Sequence, residues 1–154
     1  MPSLYVDTDE LLAGPFYAFG LLLVSLPMLD FGTSIVPVHL TNLQWRFATI
    51  GLLSNFLMTP MMGISLMVAV AAVRGHRGVQ RTIAIVNSFL VLLLIALLAL
   101  FALDAIQLNA SVPGEQAAEF HSAAYKALIK HIAGLIVLAL LAVAGWRVSS
   151  QRAG

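Results

Sequence analysis

Four long stretches without a charged side chain, residues 11–29, 47–73, 82–103 and 131–146, take up most of this chain. A bilayer hydrocarbon core of ~30 Å is crossed by about 20 mostly apolar residues in a helix rising 1.5 Å per residue. Three of the stretches reach or nearly reach that length. The fourth reaches it when residues 127–129 and a snorkelling Lys130 are added. Inside lipid every backbone N–H and C=O must find its partner within the protein, so runs of this kind form helices. The expected fold is an all-α integral membrane protein, a single domain over residues 1–154. It is a bundle of four transmembrane helices, near 12–30, 43–73, 82–104 and 114–147. The connections left over are too short for a separate soluble domain.

Composition excludes several classes of function. Sixty per cent of the residues are apolar and ten per cent charged, against ~25% charged in an ordinary soluble domain. A net charge of +1, with no basic stripe, gives nucleic acid no footprint. The absence of cysteine removes disulfide frameworks and thiolate metal sites. The residues before the first run are acidic (Asp7, Asp9, Glu10), unlike the positive leader of a signal peptide, so this helix is expected to be retained.

Basic residues set the expected orientation. With the N-terminus in the cytoplasm, Arg74, Arg77, Arg81, Arg147 and Arg152 lie inside, and Arg46, Lys126 and Lys130 outside. The positive-inside rule therefore favours both termini in, in a multi-pass protein of the cytoplasmic membrane. The inner loop carrying Arg74, Arg77 and Arg81 is short enough to make the second and third spans antiparallel neighbours. It reads as a topology signal, with an anionic headgroup site as the alternative.

The outer connections differ from each other. Thr41 and Gln44 have the spacing of a capping box, so the second helix is expected to begin near Asn42, with Trp45 at the interface. After Pro113 no proline interrupts the chain. A fourth helix of about 35 residues, ~50 Å long, exceeds one bilayer and is expected to project on the outer side.

Each span carries one charge near its outer end: Asp30, Arg46, Asp104 and Lys130. Ionisable groups at the edge of hydrocarbon are costly unless paired or snorkelling. Interhelical ion pairing, with each carboxylate ~4 Å from a basic group, is the structural expectation. A vestibule in which Asp30 and Asp104 hold an ion or headgroup is the functional one. His39, His121 and His131 fall on the same side, where imidazoles can ligate metals. Their spacings match no metal motif, and His131 alone lies near a span, as a polar interfacial group or a single axial ligand to a pigment or haem.

Met58 and Met62, an i, i+4 pair beside Pro60, resemble the MxxxM element of copper-permease helices, which implies Cu(I) binding by thioethers. No Cys or His cluster accompanies them, so methionine as a flexible filler beside a proline kink is the expectation. Gly51, Ser54, Asn55, Ser65 and Asn87 are small or hydrogen-bonding residues of the kind that mark helix contacts in membranes. Asn87 is expected to face the second span and bond Ser65 or a nearby carbonyl.

No nucleophile elbow, phosphate loop or zinc-binding helix is present, so the chain is not expected to be an enzyme, and no cofactor is assigned. The leading expectation is a non-catalytic accessory or assembly subunit of a larger membrane complex, for example a bioenergetic one. Its partners are the lipid bilayer and a protein subunit or a second copy. The alternative is a small carrier that binds an ion, metal, pigment or lipid at the outer charged cluster.

Overall fold

The computed structural model describes residues 8–150, with side chains from residue 13 to residue 147. The acidic leader and Arg152 lie outside the described side chains. Five α-helices follow one another: α1 (Thr8–Ser34), α2 (Leu43–Phe56), α3 (Met58–Arg74), α4 (Arg77–Asn109) and α5 (Gly114–Ser150). Helices α1, α4 and α5 are long and apolar enough to cross a membrane, and α2 with α3 forms a fourth span bent by 44°. Consecutive spans alternate in direction. Helix α4 packs chiefly on α5, and α1 on α3.

The second span is therefore not one straight helix. Pro60 has no N–H for the Phe56 carbonyl, and its ring crowds that carbonyl. Met61 N still donates to Leu57 O at 3.2 Å, so the ladder resumes at once and the chain turns at Leu57. An apolar void of about 220 Å³, bounded by Val24, Leu57, Pro60 and Leu94, sits beside the bend.

Caps define the remaining boundaries. Asn42, rather than Thr41, caps α2: its side-chain oxygen accepts from Trp45 N at 3.0 Å, satisfying one of the unpaired donors of the first turn. At the opposite end of the bundle Gly75 closes α3 in the left-handed conformation (φ 67°). His76 N then reaches back to Ala71 O at 2.9 Å, as a glycine cap permits. Gln80 Nε2 donates to the same carbonyl at 2.8 Å, fastening α4 onto the end of α3. Tyr17 of α1 meets His76 Nδ1 at 2.9 Å. Arg77 and Arg81 face outward here.

Helix α4 starts at Arg77 and ends at Asn109, beyond the expected 82–104. Helix α5 therefore does not project alone. The last turns of α4 accompany it, and the His121 ring donates from Nε2 to Asn109 Oδ1 at 2.6 Å.

Two glycines make the tightest crossing. A Cβ on Gly63 would lie 2.5 Å from the Gly20 carbonyl oxygen and 2.9 Å from Leu23 Cβ. Lipid tails are as apolar as the helices, so close backbone approach through small residues is what holds such a pair together. Further along the core, Met61, Ile64, Leu94 and Leu138 form the central apolar layer. Gly63→Ala should cost about 1–3 kcal/mol through forced separation of α1 and α3, measured as a lower midpoint of detergent-induced unfolding; an unchanged midpoint would show that the crossing is loose.

Candidate functional site

At the end of the bundle that carries Arg46, the charges expected to share one cluster are sorted into separate roles. Arg46 lies one turn into α2 and faces α4. Its Nη2 donates to Asp104 Oδ1 at 2.7 Å and its Nε to Oδ2 at 3.1 Å, the forked geometry in which guanidinium and carboxylate bind most strongly. The Asp104 side chain is 1% exposed and that of Arg46 28%. Arg46 Nη1 also donates to Leu40 O at 3.3 Å, tying the α1–α2 connection to the same clamp. One carboxylate thus has its basic partner. Asp30 does not: it is exposed, and among the described residues it enters no ion pair. Its backbone carbonyl instead accepts from Thr33 and Ser34. A vestibule held by Asp30 and Asp104 together is therefore not formed.

Lys130 pairs with an amide. Its ammonium donates to Asn55 Oδ1 at 2.6 Å, joining α5 to α2. Asn55 is exposed on the outside of the bundle, so its role is to hold Lys130 and not to pack a helix contact. Ser54, fully enclosed, donates to Gly51 O, and Ser65 to Met61 O, both 2.7 Å away within their own helices. Gly51 lies against the Phe101 ring. Asn87 is fully buried, but neither its amide nitrogen nor its oxygen has a hydrogen-bond partner. Ser65 already spends its proton on its own helix, so the expected bond is not made.

The three histidines are not brought together. His39 sits in the α1–α2 connection, where its carbonyl accepts from Asn42 N. His121 is held by Asn109, and His131 is wholly buried. Among the described residues no group of metal-binding side chains is assembled. His131 Nδ1 lies 2.8 Å from Ala127 O. A carbonyl only accepts, so Nδ1 carries the proton, and Nε2 of the neutral ring presents a lone pair with no partner. The ring ends a ladder of aromatics from α2, α4 and α5. Phe120 stacks on Phe47 with centroids 5.2 Å apart, Phe47 on Phe101 at 4.8 Å, and Phe101 on His131 at 5.9 Å. Neither the ladder nor the depth of His131 was anticipated from sequence. The spacing Phe47, Gly51, Ser54 on one helical face was the available signal.

Met58 and Met62 are 62% and 67% exposed. They point away from the bundle, so the expected role of filler beside the kink is not theirs. Met61, one residue between, is the buried methionine. The 44° bend turns the intervening position, not the i, i+4 pair, inward.

Between α2 and α5, floored by Phe101 of α4, lies a groove of about 400 Å³. Phe47, Ala48, Gly51, Leu52, Ala123 and Ala127 give it apolar walls, and Ser54, Asn55, Lys126 and Lys130 supply its polar atoms. No carboxylate borders it. Lys126 has no polar partner among the described residues. Lys130 uses one donor on Asn55, whose amide nitrogen remains a donor. Small residues keep the groove open, and the charged groups that line it are both ammonium.

The class defined by these features is a small, multi-pass α-helical membrane protein. Comparison with protein-family models, with curated proteins and with solved structures finds no match to this chain.

Two outcomes test this geometry. Arg46→Met, which strands a buried carboxylate, should lower the unfolding temperature by ~10 °C. Adding Asp104→Leu should restore much of the loss, whereas adding Lys130→Met should restore none. His131→Leu keeps an apolar group of similar size and removes an unsatisfied nitrogen, so stability should rise by about 1 kcal/mol. A fall in stability would mean that Nε2 has a partner in the membrane.

Proposed function

We propose that the chain is a non-catalytic membrane protein that holds an anionic group in the groove between α2 and α5. The observation that carries this reading is the charge of the lining: two ammonium groups, with no carboxylate beside them. A cation would meet two ammonium charges there and no carboxylate. Asp104, on the neighbouring α4, is engaged by Arg46. Ionisable groups one turn inside an apolar span are costly to keep without a task. In this reading the clamp is structural and the lysines are functional.

The accessory-subunit reading has its own support. Helix α4 presents Ile85, Phe89, Leu92 and Ile95 outward without a polar interruption, a face that a neighbouring subunit could cover. In both readings the balance of basic residues places the Gly75 end in the cytoplasm and the groove on the far side. Reporter fusions after Gly78 and after Gly154 should both read cytoplasmic.

Binding is tested by thermal unfolding in a neutral detergent with inorganic phosphate, oleate or phosphatidylglycerol. At least one anion should raise the unfolding temperature of the native chain by several degrees and leave Lys126→Gln/Lys130→Gln unmoved. No response to any anion, or an equal response in the variant, would defeat the reading.

A further inference from the structure

We infer that the occupant of the groove is the phosphodiester headgroup of an anionic phospholipid, an assignment that rests on the anion-binding reading. Four features of the groove select this chemistry over a free ion.

The first is location. Ala48, Asn55, Ala123, Lys126 and Lys130 are all exposed on the outside of the bundle, where the neighbour in a membrane is lipid. The second is depth. The Arg46–Asp104 pair marks the last charged level before the uncharged run of α4, and below Lys130 helix α5 carries no charged residue until Arg147. Lys130 therefore stands about one turn inside the apolar segment. A hydrated ion would lose water to reach it, whereas a lipid phosphate arrives by lateral diffusion at the edge of hydrocarbon.

Spacing is the third. Lys126 and Lys130 are i, i+4 on one helix, with Cβ atoms ~5–6 Å apart. Two ammonium groups so placed can donate to the two non-ester oxygens of one phosphodiester, which bears a single negative charge. Last comes the mixture of surfaces. The Phe47 and Phe101 rings and the alanines offer nothing to an inorganic anion but suit a glycerol backbone and its first methylenes. Beyond Lys130, Ile136 and Leu140 stay exposed on α5 and offer apolar surface to an acyl chain. Basic pockets between transmembrane helices are a physical match for anionic headgroups.

The chain contains no cysteine, so a single introduced thiol reports on the groove alone. Ala48→Cys, on the groove wall, is reconstituted in phosphatidylcholine vesicles with and without phosphatidylglycerol, and its rate of maleimide alkylation is measured. Phosphatidylglycerol at a few mole per cent should slow alkylation at least fivefold. Phosphatidylcholine alone should not, and Lys126→Gln/Lys130→Gln in the same background should abolish the protection. Glutamine can still donate to Asn55, so this variant keeps the α2–α5 bond. Equal protection by phosphatidylcholine, or protection that survives loss of both lysines, would overturn the assignment. Protection by inorganic phosphate or oleate but not by phosphatidylglycerol would overturn the lipid while leaving the anion site standing. Protection only by a transmembrane polyleucine peptide bearing a central Asp would replace the lipid with a partner helix.

Discussion

The fork between Arg46 and Asp104 organises one whole end of this protein. Asp104 sits on the inward face of α4 with no route to water, so its charge is tolerable only because a guanidinium supplies both hydrogen bonds and the counter-charge. That requirement places the start of α2 against α4. Arg46 also reaches Leu40 O, so the connection from α1 is pinned by the same side chain. Phe47, the next residue, is carried into the stack between Phe120 and Phe101. One ion pair thus sets the register of α2 on α4, and the ladder transmits it to α5.

With Asp104 satisfied by an arginine, the lysines of α5 are left to other partners. Lys130 takes the carbonyl oxygen of Asn55, and Lys126 has no acceptor among the described residues. The groove between them stays open because Ala48, Gly51, Ala123 and Ala127 are small, and because Phe101 is held flat by Phe47 with an interplanar angle of 8°. Electrostatics and packing here are two results of one arrangement. The clamp removes the negative charge from the groove, and the stack shapes its floor. What remains is a surface whose only charge is positive.

The other end of the bundle is built by different means. The Gly75 turn brings α3 and α4 together, and Gln80 and His76 tie them through backbone and amide groups. Close glycine contact joins α1 to α3. Buried polar atoms without a partner occur towards both ends: Gln80 Oε1 and both amide atoms of Asn87, and His131 Nε2 beside Phe101.

Much of the architecture could be read in the residues alone. Uncharged runs long enough to cross a bilayer force helices, since no other backbone arrangement in lipid satisfies its own N–H and C=O groups. The spacing of Thr41 and Gln44, Pro60, and the short basic loop of Arg74, Arg77 and Arg81 mark a helix start, a bend and a turn by local chemistry that needs no tertiary information. The charged residues Arg46, Asp104 and Lys130 were recognisable as the interesting ones because hydrocarbon penalises each of them. Which of them meet was not recognisable. Flanking positions in the sequence left open whether Asp104 meets Lys130 or Arg46, because pairing is set by which helix faces touch after the bend at Leu57. The same bend turned Met61 inward and left Met58 and Met62 outside. A one-dimensional pattern determines what must be buried or satisfied. Only the packed bundle, through the rotation of each helix about its axis, decides by whom.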